Sequence, residues 1–434
     1  MSTIDGSQDR LAEVTVDNPG VYAKRRVLVL VAAAVAFVLV GVSWIVIASR
    51  QGTPASPPVT VTSAALAPSS ADSTDTTATP EPSVSATPSV SATPTATPTS
   101  HVPGIYPRSA IPWSEVGPGW SVVGVVKADD MYSVLYLVSR WGARYSVGSY
   151  EARMLDASDD GRTALLGTDN AVWVVDVATG AKHTISAPNR DSLGSASLTR
   201  PSGQAVLFVE LGAGTPNRLL KINAQTGSTQ LSIGTHLQSA ESSPDGRYIV
   251  GMTAPNFGGS IEILGNATGT VVATVPKPSG TLGCFRENWW STDELVVECG
   301  VSDSRLDVWR YSLSTGAMAR ISRATKATWG YSLAFPSPVG TVVQQAGSCG
   351  PGPIGILKSD GTTDTALKNF PNEGGQTSLI AVVGTTAFLG IGSCGDPTDP
   401  PRTLLAYDLV SGSPVTLVAG TSSEGGARAV LVLT

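Results

Sequence analysis

Short runs of alternating apolar and polar residues fill the last three-quarters of the chain. Runs such as Ala171–Val177 are rich in β-branched and aromatic residues and end at polar or glycine-containing turns, as β-strands do. The turns come in pairs that recur about every 45 residues. The first turns are Asp160-Gly161, Ser202-Gly203, Asp245-Gly246, Thr292-Asp293, Val339-Gly340 and Gly384-Thr385. The second turns are Thr179-Gly180, Thr226-Gly227, Thr268-Gly269, Thr315-Gly316, Asp360-Gly361 and Ser411-Gly412. Two hairpin turns per repeat of this length predict the four-stranded blades of a β-propeller.

The predicted fold class is an all-β, seven-bladed propeller, with a six-bladed ring as the alternative. Six blades are expected at about 151–186, 193–233, 236–276, 280–322, 327–368 and 376–418. Residues 106–434 number 329, which gives 47 per blade for seven blades and about 55 for six. Strands near 120–126, 133–138 and 144–147 supply the seventh blade, and the final apolar run, 429–434, completes it. Closure by the C-terminal strand removes exposed sheet edges.

A long apolar segment lies near the N-terminus. Residues 27–49 run for 23 residues without a charge, enough for a helix to cross a hydrocarbon layer of ~30 Å. Lys24-Arg25-Arg26 precede it and a single Arg50 follows, which places the N-terminus in the cytoplasm. A cleavable signal peptide normally has a shorter apolar region of ~7–15 residues and an Ala-x-Ala site. We therefore predict a cytoplasmic tail at 1–26, an uncleaved single-pass membrane anchor at 27–49 and an extracytoplasmic propeller at 106–434.

The segment between anchor and propeller, 50–105, consists mainly of Thr, Pro, Ser and Ala and contains a duplicated Ser-Val-Ser-Ala-Thr-Pro, at 83–88 and 89–94. Such a composition cannot bury enough apolar surface to offset the entropy of ordering, so it predicts a disordered stalk. The stalk is a spacer, and its Ser and Thr residues are candidate sites for O-glycosylation.

Composition excludes several classes of protein. Charged residues make up 14% of the chain, the net charge is −6, and Lys and Arg do not cluster outside the membrane flank. We therefore expect no nucleic-acid partner. The spacing of Cys and His gives no metal-site motif, and no cofactor is expected.

The four cysteines predict two disulfides, because an even number beyond a membrane segment fits an oxidising compartment. Cys284 and Cys299 are equidistant from the predicted turn at 290–293 and should face each other across strands a and b of one blade. Cys349 and Cys394 both follow Gly-Ser in the b–c loops of adjacent blades, so their bridge would connect neighbours. The bridges are worth about 3 and about 4 kcal/mol in a loop-entropy description.

The turn motifs resemble a known family. Ala-Ser-Asp-Asp-Gly-Arg at 157–162 and Ser-Ser-Pro-Asp-Gly-Arg-Tyr at 242–248 resemble the turns of the bacterial TolB-like, WD-repeat-like propellers. Ile-Pro-Trp-Ser-Glu-Val-Gly-Pro-Gly-Trp at 111–120 is similar to the start of the propeller in membrane-anchored bacterial forms. The resemblance implies a propeller that binds a protein or ligand, and it carries no catalytic residues across.

Long loops on one face of the ring are the predicted site of function, since irregular loops on a rigid scaffold often bind ligands. On this face, Arg305, Asp396, Asp399 and Arg402 are candidate ligand-face residues. No Gly-x-Ser-x-Gly or His-Glu-x-x-His motif is present. We expect a non-enzymatic module that binds a protein or polysaccharide of the cell envelope. The alternatives are a hydrolase or lyase that acts on envelope glycans through carboxylates, and a sensor that needs a cytoplasmic partner.

Overall fold

A computed structural model describes most of residues 101–434, and residues 1–100 lie outside the described part of the chain. The further gaps are 127–132, 169–170, 187–192, 212–216, 255–258, 303–304, 323–329, 346–352, 359–361, 366, 368–375, 393–402 and 421–425. In the described residues no helix has the length and apolar composition needed to span a membrane. The predicted anchor, 27–49, lies outside the described residues. The same holds for the predicted stalk, 50–105, except for its last five residues.

Seven antiparallel sheets form the blades of a propeller, which confirms the predicted fold class and blade number. Within blades 1 to 6 the strands follow in the order a, b, c and d along the chain. Blade 1 contains β5 (Arg153–Ala157), β6 (Thr163–Gly167), β7 (Ala171–Asp176) and β8 (Lys182–Ser186). Blade 2 contains β9 (Leu193–Leu198), β10 (Ala205–Glu210), β11 (Arg218–Asn223) and β12 (Thr229–Gly234). Blade 3 contains β13 (Ser239–Ser242), β14 (Tyr248–Met252), β15 (Ile261–Gly265) and β16 (Val271–Thr274).

The next three blades repeat this arrangement. Blade 4 contains β17 (Gly283–Trp289), β18 (Glu294–Ser302), β19 (Arg305–Ser312) and β20 (Met318–Ser322). Blade 5 contains β21 (Tyr331–Phe335), β22 (Thr341–Gln345), β23 (Ile354–Leu357) and β24 (Thr363–Thr365). Blade 6 contains β25 (Gln376–Val383), β26 (Thr386–Gly392), β27 (Thr403–Asp408) and β28 (Pro414–Val418).

Blade 7 joins the two ends of the folded domain. It contains β2 (Ser121–Val126), β3 (Ser133–Val138), β4 (Ala143–Tyr150) and the C-terminal β29 (Gly426–Val432), which pairs with β2. The predicted completion of this blade by the end of the chain is therefore confirmed. A fifth strand, β1 (Gly104–Pro107), was not predicted; it pairs in parallel with the outer strand β4, and a 3₁₀ turn (Arg108–Ala110) follows it.

The hydrophobic core lies between the blades rather than at the centre of the ring. Seven clusters of buried apolar residues in the described part of the chain each join two neighbouring blades. The largest includes Trp120 and Tyr145 of blade 7 with Leu166 of blade 1. Each sheet therefore buries both faces, which explains why the strands in the middle of a blade, such as β10, are apolar at successive positions.

The strands alternate in direction, so the loops fall on two faces of the ring. The b–c loops and the connections from strand d to the next strand a lie on one face, named here the b–c face. The a–b and c–d turns lie on the opposite face, named here the a–b face.

Candidate functional site

A cleft opens on the b–c face between blades 3 and 4. Its volume is about 310 Å³, at the lower end of the range of ligand pockets. The residues that line it come from the b–c loop of blade 3, the connection to blade 4 and the start of β17: Gly259, Ser260, Ile261, Val275, Lys277, Leu282, Gly283 and Cys284. Three of the lining residues, Ile261, Val275 and Cys284, are apolar, and each is less than a tenth exposed.

The connection between the two blades is fixed at both ends and in the middle. The Val275 amide donates to Ile261 O at 2.9 Å, and the Leu282 amide donates to Gly300 O at 2.7 Å. Between them, Thr281 donates through its amide and its hydroxyl to Pro278 O, at 3.2 and 2.7 Å. A fixed connection of this kind holds its side chains in a constant position on the rim of the cleft.

Two side chains on the rim are available to a ligand. Leu282 is 53% exposed although its backbone is hydrogen-bonded. Lys277 is exposed between Pro276 and Pro278, and within the described residues it has neither an ion pair nor a hydrogen bond. An exposed apolar side chain thus lies close to an ammonium group that has no partner among the described residues, and together they suit a ligand with an apolar group and a negative charge.

The predicted disulfide between Cys284 and Cys299 is present below the cleft. The two residues are direct partners in the pairing of β17 with β18, with their Cα atoms 4.1 Å apart. The bridge therefore joins strands a and b next to the cleft, as the position of the turn predicted. Cys349 and Cys394 lie outside the described residues, and their bridge stays a prediction.

An ionic track, formed by Asp156, Asp159, Arg200, Glu241 and Arg286, follows the inner strands of blades 1 to 4. Arg200 donates to Asp156 with Nη2–Oδ1 2.9 Å and to Asp159 with Nε–Oδ1 3.0 Å. Asp156 is buried and also accepts from the amides of Ala157 and Leu198, at 2.8 and 2.7 Å. Burial raises the pKa of Asp156, and the Arg200 guanidinium opposes that rise.

The track continues from blade 3 to blade 4 through an ion pair between Glu241 and Arg286. Burial also raises the pKa of Asp159 to about 6, with Arg200 opposing the rise. Every carboxylate of the track thus contacts an arginine of another blade, so these charges connect blades instead of facing an empty site.

A pair of neighbouring glutamates lies beside the end of the ionic track. Glu287 is in a bulge of β17, and its carboxyl is hydrogen-bonded to that of Glu298 in β18. Both pKa values are raised above the usual glutamate range, to about 7 for Glu287 and about 9 for Glu298, chiefly by burial. The proximity of the partner carboxyl adds to the rise for Glu298. Glu298 therefore holds its proton at neutral pH.

The residues predicted for the ligand face are only partly described. Arg305 is exposed at the start of β19 on the b–c face and does not line the cleft. Asp396, Asp399 and Arg402 lie outside the described residues, so the proposed ligand face stays a prediction. In the described ranges no group of three His, Cys, Asp or Glu side chains is arranged to hold a metal ion.

Sequence reasoning missed the ionic track, although a signal was present. Asp156 and Arg200 are 44 residues apart, and Glu241 and Arg286 are 45 apart. This spacing equals the blade period, so charges of opposite sign at equivalent positions of successive repeats could have indicated ion pairs between blades. The cleft gave a weaker signal, a lysine between two prolines in the connection between blades.

No protein-family model matches the chain, and no curated protein matches it. Solved structures do match over most of the propeller. A prolyl endopeptidase structure matches with a TM-score of 0.52 and 12% sequence identity. The match covers 74% of this chain and 51% of the endopeptidase chain. The chain thus spans about half the length of that enzyme.

Two further matches have lower scores. TolB from Acinetobacter baumannii has a TM-score of 0.41 at 15% identity, over 72% of this chain and 66% of the other. An oligogalacturonate lyase in complex with manganese has a TM-score of 0.44 at 12% identity, over 68% of this chain and 89% of the lyase. TolB proteins and other propellers are thus among the structural neighbours, and the seven sheets of this chain form the kind of fold that the resemblance implies. At these identities the likeness does not extend to activity.

Proposed function

We propose that the protein is a binding module of the cell envelope, anchored in the membrane by residues 27–49, whose propeller holds a partner at the cleft of the b–c face. The cleft between blades 3 and 4 is the observation that carries this proposal. It combines buried apolar lining residues, an exposed Leu282 and a Lys277 that has no partner among the described residues, on a connection held by three hydrogen-bonded backbone positions. A rigid scaffold with adaptable loops at one face suits the binding of a protein or polysaccharide.

Three features of the sequence support a location outside the cytoplasm. They are the uncharged segment 27–49, the Thr-, Pro- and Ser-rich segment 50–105 that follows it, and the disulfide-bonded Cys284 and Cys299. Disulfides persist in oxidising compartments. Together they favour a propeller that is displayed on the outer side of the membrane.

A site-specific crosslinking experiment tests the binding function. The photoreactive residue p-benzoylphenylalanine replaces Leu282 in one variant of the full chain and Val410 in another, in cells of the native host. Val410 is a matched control, because it is 67% exposed in a c–d turn on the opposite face. We expect a discrete crosslinked species at 282 and none at 410. Equal labelling at both positions, or no labelling at 282, would exclude the cleft as a binding site.

A second candidate function, hydrolysis or cleavage of envelope glycans, is favoured by one observation, the neighbouring carboxyls of Glu287 and Glu298 with their raised pKa values. Its geometry argues against catalysis. The two carboxyls are hydrogen-bonded to each other, whereas glycosidases keep their carboxyls about 5 to 9.5 Å apart to admit the sugar. Incubation of envelope polysaccharide with the full chain should therefore release no new reducing or unsaturated ends. Release that is lost in Glu298→Gln would establish the enzyme instead.

A further inference from the structure

The outer edges of five blades are protected against pairing with another chain, whereas those of blades 2 and 3 carry neither charge nor proline in the described residues. Unpaired edge strands attract other strands unless charges, proline or a covering segment block them. The outer strands of blades 1, 4, 5 and 6 contain Lys182, Arg320, Asp364 and Pro414, respectively. The outer strand of blade 7, β4, is covered by β1.

Blade 3 presents a different edge. Its outer strand β16 has the sequence Val-Val-Ala-Thr, without charge or proline. Val271 and Val272 are 54% and 55% exposed. The uncharged β12 of blade 2 is the nearest comparison, but there polar residues alternate with the apolar ones. Among the described outer strands, β16 is therefore the one best suited to accept a further strand.

The chain itself shows how an outer edge of this propeller accepts a strand. β1 lies parallel to β4, with Gly104 opposite Ala143 and Pro107 opposite Ser146. A segment that joined β16 in the same direction would run towards the b–c face. Its C-terminal end would then lie beyond Thr274, where Val275 and Lys277 line the cleft.

We propose that blade 3 binds the extended C-terminal segment of a partner protein, which pairs in parallel with β16 and places its terminal carboxylate beside Lys277. β-Branched residues suit the exposed valines of the edge, and the carboxylate neutralises an ammonium group that no described residue pairs with. The proposal rests on the binding function proposed above and identifies the partner class for the same cleft. β29 is already paired with β2, so this strand does not supply the segment.

Peptide binding to the purified full chain tests the proposal. The probe is a fluorescein-labelled peptide of about seven alternating Thr and Val residues, made with a free C-terminal carboxylate and, separately, with an amide. Fluorescence anisotropy should show saturable binding of the acid and about fivefold weaker binding of the amide, the size expected of an exposed ion pair. Lys277→Met should remove the difference between the two peptides.

The edge is tested by Val272→Lys, which should weaken both peptides about tenfold or more by blocking strand addition. Gln230→Lys is the matched control, because it adds the same charge to an exposed position of the outer strand of blade 2 and should leave binding unchanged. The proposal would be overturned if the peptide acid and the peptide amide bound with equal affinity, or if Val272→Lys bound the peptides as tightly as the parent protein does. If crosslinking at 282 persists in such a case, the binding function stands and the partner class is wrong. If neither the peptide nor a crosslink is found, both proposals fail.

Discussion

Gly246, in the a–b turn of blade 3, lies against the backbone of Arg200 in blade 2. A β-carbon added to Gly246 would be only 2.5 Å from the carbonyl oxygen of Arg200. Gly246 also has a φ of +69°, a backbone conformation that residues other than glycine rarely adopt. Two independent constraints therefore require glycine at this position: the conformation of its turn and the close approach of the neighbouring blade.

Gly246→Ala should destabilise the propeller more than the same change at Gly384. Gly384 occupies the a–b turn of blade 6 with a φ of +58°, and no atom of the described residues lies within 4 Å of an added β-carbon. Gly384→Ala should cost about 1–2 kcal/mol, the strain of the left-handed conformation. Gly246→Ala should cost a further ~1–3 kcal/mol, because a backbone oxygen cannot rotate away. Urea unfolding measures both, and equal losses would show that the contact with blade 2 is unimportant.

This comparison shows what the sequence could and could not predict. Asp245-Gly246 fixed a turn, because the conformation of a tight turn depends on a few adjacent residues. The number of blades followed from the spacing of such turns. The contact with Arg200 depends on how two blades pack, and nothing near residue 246 in the sequence reports it.

The strand β1 and the cleft were missed for related reasons. Gly104–Pro107 has no alternating pattern and follows a proline-rich segment, so its composition resembles the stalk. Its pairing with β4 arises from tertiary contacts alone. The cleft is formed by residues of a loop, a connection and a strand, 259–284, whose meeting place is set by the angle between two blades.

The ion pair between Arg200 and Asp156 should be important for stability. Both side chains are largely buried, so loss of the guanidinium leaves an uncompensated carboxylate in the protein interior. Arg200→Met should therefore lower the unfolding free energy by about 3–5 kcal/mol. Arg247→Met is the control, since the exposed Arg247 pairs with Asp245 at the surface and its loss should hardly change the melting temperature. Similar melting temperatures for the two variants would contradict the role assigned to Arg200.

The disulfide between Cys284 and Cys299 closes a loop with a sequence separation of 15. Replacement of both residues by Ser should lower the unfolding free energy by about 3 kcal/mol through the greater freedom of the unfolded chain. Non-reducing peptide mapping checks the pairing directly, and the same map tests the predicted bridge between Cys349 and Cys394. Recovery of Cys284 linked to a different cysteine would show that the pairing across β17 and β18 is wrong.

The pair of Glu287 and Glu298 should make the propeller less stable as the pH rises. In the unfolded chain a glutamate loses its proton near its ordinary pKa of 4.5, whereas the folded protein holds the pKa of Glu298 at about 9. Between these values the folded state retains a proton on Glu298 that the unfolded state has lost, so the contribution of this group to stability is greatest below pH 4.5 and is lost as the pH rises towards 9. The slope is about 1.4 kcal/mol per pH unit for each proton retained.

Glu298→Gln should remove most of this dependence. A glutamine amide can donate to Glu287 as the protonated carboxyl does, but it has no proton to lose. The variant should match the parent protein near pH 4.5 and exceed its unfolding free energy at pH 8, as measured by urea titration at each pH. A parent-like slope in the variant would mean that the two carboxyls do not share protons in solution. Other buried carboxyls with raised pKa values, such as Asp159, would then be the source of the slope.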